Sequence, residues 1–427
     1  MPEITLHTMY RALDALNDWK DEIESELVEY NYARTDKKVD VVFYDVTTIS
    51  FESVVADELR NFGFSKDCKF NEVQVVLGMI IDADGIPVGY ELFPGNTFDG
   101  KTLVTALENI KKRFGINRVI IVADRGINSK GNLKLIKEAG YGYIMSSKIR
   151  CMSESMKNKI LKQEKFTVVN DKSGNEDLRY KIMEYINEFK DENKELHCLA
   201  ENLIITHSPK RAKKDKKDRE RLIEKAEKML ENPEKIDASN KRGGKKYLDK
   251  TNDEKTTVWQ LAEEKIKQDE KFDGYYGIQT SEKNMTATEV IEAYHTLWKI
   301  EESFRIMKST MEIRPVFHWT PKRIKGHFVV CFLAFLMERK MECLLRTEDD
   351  EIISSPQRIQ EALNTMQLAA VTANKNEIFV KAKAEPLANK IFRLLKLDLP
   401  ANISTKSELI ARFKLDEEPE AVQMEFL

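Results

Sequence analysis

The order of apolar segments between residues 38 and 148 constrains the fold more than any other feature of this chain. The run VDVVFYDVTTIS, around Asp45, is rich in β-branched and aromatic residues and predicts a strand. Two further apolar runs within residues 72–96 flank the sequence DADG, which favours a hairpin. A helix over 99–114, a short apolar strand ending at Asp124, a helix over 129–140 and a strand over 141–148 are expected to follow.

Three strands in a meander followed by helix, strand, helix and strand are typical of a ribonuclease-H-like fold. The sequence therefore predicts an α/β protein with a mixed sheet flanked by helices. Residues 1–37 are expected to form a helical lead-in, with a helix over 4–31, and residues 38–150 the first part of a catalytic domain. An α+β insertion domain over 151–285, the second part of the catalytic domain over 286–346 and a helical tail over 347–427 complete the predicted organisation.

Composition narrows the class of protein. No apolar run approaches the roughly 20 residues that span a bilayer, and the N-terminus lacks the pattern of a signal peptide, so we expect a cytoplasmic protein without membrane contact. The five cysteines form no CxxC pair, which argues against a zinc site or a disulfide framework. The net charge of −3 alone argues weakly against nucleic-acid binding.

Positive charge is concentrated locally within the predicted insertion domain. Residues 210–250 hold 16 Lys and Arg against nine Asp and Glu. The portion 208–230 has a helical composition, and NKRGGKKYLDK (240–250) favours a mobile basic loop. A solvated helix face with a flexible loop and a surface that contacts a DNA backbone are both compatible with this pattern.

Two carboxylates, Asp45 and Asp124, lie within or at the end of apolar strands. A capping or turn role would explain either one alone. In the predicted fold, however, the two strands are neighbours, and two adjacent carboxylates repel each other unless a cation lies between them. Carboxylate oxygens are the ligands that Mg²⁺ prefers, so the pair suggests a metal site.

A third carboxylate, Glu301, belongs to a predicted helix that begins near Thr286. Tyr294, Glu301 and Lys308 are spaced seven and seven, which places them on one face of a continuous helix. Trp298 and Arg305 would lie on the same side. An exposed face with ordinary ion pairs is the alternative, and Glu302, the rival acid, would point about 100° away.

At these residues the sequence resembles the DDE transposases of bacterial and archaeal insertion sequences. The resemblance is carried by YDVTTISFES, VVADRGINSKGN, and YHTLWKIEESFRIMKS followed by RPVFHWTPKRIKGH, and it covers roughly residues 38–345. It is closest to the insertion-sequence-four superfamily, whose last motif is Tyr, two residues, Arg, three residues, Glu, six residues, Lys. Tyr294, Glu301 and Lys308 fit this motif, whereas Leu297 occupies the Arg position.

The resemblance implies a catalytic and metal-binding triad of Asp45, Asp124 and Glu301 that binds two divalent ions, either Mg²⁺ or Mn²⁺. It implies cleavage of DNA at transposon terminal repeats and joining to target DNA, by an enzyme that acts as a homodimer on the nucleoid. DNA-contacting residues are expected around the last motif and the helix after it, and they are Tyr294, Trp298, Arg305, Lys308, His318, Lys322 and Arg323. His327 is a further candidate, although a lone histidine is more often structural.

Three other functions remain open at this point. A ribonuclease-H-like nuclease would use the same triad without joining strands, a domesticated remnant would bind DNA without cleaving it, and a structural α/β protein would carry the three acids by chance. Only 44 residues precede Asp45, so we also expect a shortened N-terminal region with incomplete recognition of transposon ends.

Overall fold

The computed structural model describes residues 5–32, 41–63, 71–97, 119–124, 126–170, 176–190, 194–232, 243–253, 256–311, 313–345, 355–373 and 376–413, with residue 236 and scattered positions between 102 and 113. The chain divides into two compact units. The sheet unit comprises Trp19–Ala83 and Val88–Glu301, and the helical unit comprises Met1–Asp18, Asp84–Pro87 and Glu302–Leu427.

A nine-stranded sheet forms the centre of the sheet unit, in the order β3-β2-β1-β4-β5-β11-β8-β7-β6. The strands up to the second predicted Asp are β1 (Val41–Ser50), β2 (Gln74–Asp82), β3 (Pro87–Pro94) and β4 (Ile120–Ala123). The later strands of this sheet are β5 (Gly142–Ser147), β6 (Thr167–Asn170), β7 (Glu176–Lys190), β8 (Leu196–His207) and β11 (Tyr275–Thr280). A separate hairpin pairs β9 (Leu248–Asp253) with β10 (Thr256–Leu261).

The first five strands confirm the predicted ribonuclease-H-like mixed sheet. β1 is antiparallel to β2 and parallel to β4, and β4 is parallel to β5. Most residues of β1 and β4 are buried, as expected for central strands that are covered on both faces. The strands of the predicted insertion region, β6, β7, β8 and β11, extend the same sheet through antiparallel pairing of β11 with β5.

Helices of the sheet unit cover this sheet and its extension. They are α2 (Lys20–Tyr32), α3 (Lys130–Glu138), α4 (Glu154–Leu161), α5 (Pro209–Leu230), α6 (Glu263–Glu270), α7 (Ala287–His295) and α8 (Trp298–Arg305), which runs on into the helical unit. Helix α3 begins at Ser129, whose side chain accepts a hydrogen bond from the Asn132 amide, and it buries Leu133 and Ile136 against the β4–β5 region of the core.

Two of the predicted segments have a different structure from the one expected, and a third lies mostly outside the described residues. The single helix expected over 4–31 is two helices, Leu6–Asp18 (α1) and Lys20–Tyr32 (α2), separated at Trp19. The expected basic loop at 240–250 is instead a 3₁₀ helix, Gly243–Tyr247, followed by β9, while its first residues lie outside the described part. Most of the helix expected over 99–114 also lies outside it, although the described positions there are helical.

The helical unit is built around α9 (Pro321–Leu345), which confirms the helix expected over 321–346. It packs against α1 so closely that a Cβ added at Gly326 would lie 2.0 Å from the Leu13 carbonyl oxygen. Beyond it lie α10 (Pro356–Asn364), α11 (Pro386–Leu394) and α12 (Lys406–Phe413). The tail also contains a three-stranded sheet, β12 (Leu368–Ala373), β13 (Asn376–Lys381) and β14 (Ile403–Thr405), which the expectation of helices alone missed.

Among the described residues, every helix is too short or too polar to cross a bilayer.

Candidate active site

The two predicted Asp residues lie on neighbouring parallel strands. β1 pairs with β4 in a register whose last pair is Phe43 with Val122, and Asp45 and Asp124 each lie two residues beyond that pair. Residues two apart on a strand project to the same face, so Asp45 shares the sheet face of Phe43, while Asp124 lies just past the end of β4. Asp45 is half-buried within β1, whereas Asp124 follows β4 directly and is exposed.

The helix that was expected to carry Tyr294, Glu301 and Lys308 on one continuous face is broken in two. Helix α7 begins with a capping box between Thr286 and Glu289 and ends at His295. The Thr296 hydroxyl donates a hydrogen bond to the Glu292 carbonyl at 2.9 Å, a back-bond that is often associated with helix bending. Helix α8 starts again at Trp298 and passes into a π-helix, Ile306–Thr310, so Lys308 does not follow Glu301 in regular α-helical phase.

A cleft of about 690 Å³ nevertheless brings several predicted residues together in the sheet unit. Asp124, Tyr294, Trp298 and Glu301 all line it, and so does Leu297, at the position where the superfamily motif has Arg. Glu301 is exposed to this cleft, and Trp298 keeps 53% of its surface accessible. The cleft is completed by residues of β7, β8, β11 and the start of α5, among them Asp177, Leu178, Thr206, Arg211 and Tyr276.

Tyr294 links the candidate catalytic carboxylate to the sheet through a chain of hydroxyl groups. Its hydroxyl donates to Asp124 Oδ1 at 3.2 Å and lies 2.7 Å from the Tyr276 hydroxyl. The Tyr276 hydroxyl in turn donates to Ser146 Oγ at 2.7 Å. Burial, reinforced by Tyr276 and by the negative charge of Asp124, raises the pKa of Tyr294 far above its ordinary value. Tyr294 therefore remains a protonated donor toward Asp124 at any physiological pH.

Glu302, the rival of Glu301, is engaged in ion pairs within the helical unit. Its carboxylate lies 3.3 Å from Arg305 and 3.2 Å from the buried Arg339. Glu301 and Glu302 therefore have different surroundings, since Glu301 faces the cleft and Glu302 is neutralised by two guanidinium groups. This difference supports the choice of Glu301 as the third acid.

The remaining predicted DNA contacts lie in the helical unit: Arg305 ends α8, Lys308 lies in the π-helix, and His318, Lys322 and Arg323 lie near the start of α9. Lys322 pairs with Asp18 at 2.6 Å, and Arg323 pairs with Asp14 at 3.4 Å. The His318 ring packs edge-on against Tyr10, and burial, together with His327 and Arg323, lowers the pKa of His318. Burial also lowers the pKa of His327, although its ring is within hydrogen-bonding distance of the Ile313 carbonyl. Both rings are thus favoured in the neutral form at neutral pH.

Tyr276 and Arg211, which line the cleft, and Ser146, which accepts a hydrogen bond from Tyr276, were not singled out from the sequence. Tyr276 and Ser146 lie in ordinary-looking strands, and only the pairing of β5 with β11 places them beside Tyr294. Arg211 lies in the basic stretch noted from the sequence, but that signal did not distinguish it from the lysines around it. Its guanidinium lies 4.4 Å from the centre of the Tyr276 ring, a cation–π contact that fixes it at the edge of the cleft.

The donor chemistry of the three acids fits a hard divalent cation, which prefers carboxylate oxygens. Asp45 and Asp124 lie at matching positions beyond the last β1–β4 pair, and Asp124 and Glu301 line the same cleft. Within the part of the chain that the structure describes, no three His, Cys, Asp or Glu side chains converge closely enough to hold a metal ion. An ion bound here would therefore have to draw the three carboxylates together.

Comparisons with known proteins place this site in context. The family model described as a transposase DDE domain matches residues 37–337, which is well over half of the chain. No curated protein matches the chain.

Several solved transposase structures also align. A piggyBac transposase synaptic complex with hairpin DNA aligns over 91% of this chain and 56% of its own, at 8% identity and a TM-score of 0.36. The catalytic domain of Mos1 mariner transposase aligns over 33% of this chain and 61% of its own, at 15% identity and a TM-score of 0.18. The chain thus spans little more than half the length of these proteins, and at such TM-scores the family assignment rests on the sequence match.

Proposed function

Since the chain belongs to the transposase DDE domain family, we propose that it cleaves DNA at the ends of an insertion sequence and joins the freed ends to target DNA. The observation that carries this proposal is the site itself. The β1–β4 register, continued two residues past its last pair, would align Asp45 with Asp124, and Asp124 lines one cleft with Glu301 and its hydrogen-bond donor Tyr294.

The three acids would hold the divalent ions. Two bound Mg²⁺ or Mn²⁺ ions would activate the hydroxyl that attacks phosphorus and would stabilise the oxygen that leaves it. Asp45 and Asp124 would provide the ligands from the rigid sheet, and Glu301 from the start of α8. The Tyr294 hydroxyl holds one oxygen of Asp124, so it fixes the orientation of that carboxylate and leaves its other oxygen available.

The chain's cations would bind the DNA backbone. Arg211 lines the cleft directly, and Trp298 exposes an aromatic face on which a base could stack. In the helical unit, the predicted contacts are Arg305, Lys308, His318, Lys322 and Arg323. Lys322 and Arg323 would exchange their ion pairs with Asp18 and Asp14 for phosphates. We further propose that the protein acts as a homodimer on two transposon ends, in the cytoplasm.

Within the family, we assign the chain to the insertion-sequence-four superfamily on its last motif. Tyr294, Glu301 and Lys308 match that motif by residue type and spacing. The chain departs from the motif at Leu297, which is 6% exposed and packs at the helix break. Arg211 lines the same cleft and supplies a cation there, so it compensates in part for the missing Arg. The five-segment organisation expected from the sequence stays part of this proposal, with β6, β7, β8 and β11 of 151–285 continuing the catalytic sheet and a small sheet added to the helices of the tail.

A cleavage and strand-transfer assay on the full chain tests the proposal. The substrate is a labelled duplex that carries the inverted repeats flanking the gene, with a supercoiled target plasmid and Mg²⁺ or Mn²⁺. We expect nicked ends and joined product from the wild type, and loss of at least a thousandfold for D45N, D124N and E301Q because each removes a metal ligand. The matched control D218N changes an exposed acid on α5 and should retain full activity.

The outcomes separate the alternatives. Nicking without joined product would identify a nuclease rather than a transposase. Binding without metal-dependent nicking would identify a non-catalytic DNA-binding protein. Activity that survives D124N would overturn the assignment of the site.

A further inference from the structure

A second cleft adjoins the candidate active site in the sheet unit. It has a volume of about 360 Å³ and is lined by Lys148, Arg150, Lys246, Arg211 and Tyr276, among others. Arg211 and Tyr276 also line the catalytic cleft, so the two clefts meet at this cation–π pair. A polymer bound across Glu301 and Asp124 can therefore continue past Arg211 into the second cleft.

The lining of the second cleft carries an excess of positive charge. Four of its side chains are cations, whereas Asp215, 3.8 Å from Arg211, is the acid in the lining. Asp269, which does not line the cleft, partly neutralises two of these cations. Its carboxylate lies 3.2 Å from the Arg150 guanidinium and also pairs with Lys246. Arg150, Arg211 and Lys246 keep 42%, 46% and 45% of their side chains exposed, so each can reach a ligand.

Helix α5 extends this positive charge beyond the cleft. Its first turns expose a further set of cations, namely Lys210, Lys213, Lys214, Lys216 and Lys217, and its first turn contains no acid. Cations at a helix N-terminus interact unfavourably with the helix dipole, so this arrangement costs stability in the free protein. An anionic ligand would offset that cost. The positive charge of these first turns is also opposite in sign to the net charge of −3 of the whole chain.

The floor of the second cleft includes a glycine of β11, on which the Ile149 side chain packs closely. Gly277 of β11 lies in the lining, and a Cβ added there would lie 2.3 Å from Ile149 Cγ2. The short 3₁₀ turn that carries Arg150, Ile149–Cys151, thus packs directly on bare backbone of β11. This packing holds Arg150 in the cleft that Lys246 also lines, and both cations pair with Asp269.

We propose that the second cleft binds successive backbone phosphates of the DNA strand that leaves the catalytic cleft, with Arg211 as the contact shared by both. Phosphate contacts of this kind carry no sequence information but fix the register of a duplex on a protein. The second cleft would therefore set which phosphate stands at Asp124 and Glu301. This inference rests on the proposed function, because it takes DNA as the occupant of the catalytic cleft.

Salt-dependent DNA binding by the full chain tests this site. Binding of a fluorescent 30-base-pair duplex would be measured by anisotropy in EDTA, which prevents cleavage, over a range of NaCl concentrations. The test variant is the double substitution Arg150→Gln and Lys246→Gln, with Lys148→Gln as a second, milder variant. The matched control is Lys265→Gln with Lys267→Gln, which removes two exposed, ion-paired cations from α6, outside both clefts.

We expect the slope of log K against log salt to become shallower by roughly two for the cleft variant and by roughly one for Lys148→Gln, since each lost phosphate contact contributes about 0.9. The control should keep the wild-type slope. An unchanged slope in the cleft variants, an equal change in the control, or no DNA binding by the wild type would overturn the site. Cleavage by the wild type in Mg²⁺ tests the proposed function separately, because a slope change without cleavage would retain the phosphate site and reject the enzyme.

Discussion

Tyr294 has a different position from the one its spacing suggested. The sequence placed it on a continuous helical face with Glu301, as a phosphate contact. In the structure it precedes a helix break, and its hydroxyl lies on Asp124 Oδ1. A residue of this type could be found from the sequence, but its partner could not, because the contact depends on how α7 packs over the end of β4.

Replacing Tyr294 by Phe tests the role of this hydrogen bond. A hydrogen bond to a charged group contributes about 1.5–3 kcal/mol, so we expect the single-turnover cleavage rate to fall by roughly 10- to 100-fold while the fold is retained. Single-turnover cleavage and thermal unfolding would be measured together. The control Tyr30→Phe changes an exposed tyrosine of α2 and should leave the rate unchanged. An unaltered rate for Y294F would contradict a positioning role.

Glu201 is a buried acid that lies away from the cleft and makes stability depend on pH. It is 2% exposed and accepts hydrogen bonds from the Tyr143 hydroxyl and the Gln279 amide. Burial nevertheless dominates and raises the pKa of Glu201 to about 7 from an ordinary 4.5. The folded state thus binds a proton more tightly than the unfolded state, and this group's contribution to stability is lost as pH rises through about 7.

The variant Glu201→Gln keeps the neutral shape of the side chain and removes the titration. We expect the free energy of unfolding of the wild type to fall by roughly 3 kcal/mol more than that of E201Q between pH 5 and pH 8. Urea denaturation at several pH values would measure the difference. The exposed-acid variant Glu138→Gln provides the reference, and parallel pH profiles for wild type and E201Q would show that Glu201 is ionised at pH 5 already.

At the scale of elements, the strands buried on both faces could be predicted, whereas the half-exposed β7 could not. β4 is the short apolar run IIVA, and its burial leaves little choice of structure. β7 instead exposes Ile182 and Ile186 by 51% and 62%, so its sequence lacks a clean apolar pattern. The joining of β6, β7 and β8 to the central sheet depends on β11, which pairs with β5 and β8 from far along the chain, and no local pattern encodes that pairing. The break at Thr296 was missed because the apolar spacing continues across it.

The contact between α1 and α9 depends on one glycine. We expect Gly326→Ala to destabilise the helical unit by about 1–3 kcal/mol, because its Cβ would meet the Leu13 backbone and force α1 away. Hydrogen exchange should increase over Leu6–Asp18. The matched control is Gly131→Ala in α3, where a Cβ meets no atom within 4 Å and helix propensity favours alanine. Equal stability of the two variants would rule out the close approach.

At the scale of the whole molecule, averages conceal both the charge and the architecture. The net charge of −3 gives no sign of the positive cleft beside the candidate active site, because acids elsewhere in the chain outnumber its cations. The division into two units also cuts across the sequence order, since the N-terminal helix α1 belongs with residues 302–427. Each unit has its own buried cluster, around Tyr143 in one and Ile391 in the other.

Separate cores, and the location of all three proposed metal ligands in one unit, lead to a prediction for calorimetry. Asp45, Asp124 and Glu301 all belong to the sheet unit. We therefore expect two thermal unfolding transitions, and we expect Mn²⁺ or Mg²⁺ to raise the melting temperature of only one of them. At a hundred times its dissociation constant, a bound ion should stabilise the sheet unit by about 2.7 kcal/mol. The variant Gly326→Ala identifies the other transition, because it should lower the melting temperature of the helical unit alone.

Acid variants then decide whether the three carboxylates act as one ligand set. D45N and E301Q should each abolish the metal-induced rise, although Asp45 lies in a central strand and Glu301 in a helix far along the chain. The exposed-acid variant D218N should preserve it. If D45N kept the full rise while E301Q lost it, the ion would be bound in the cleft by Asp124 and Glu301 without β1, and the in-register pair could not be the basis of the site.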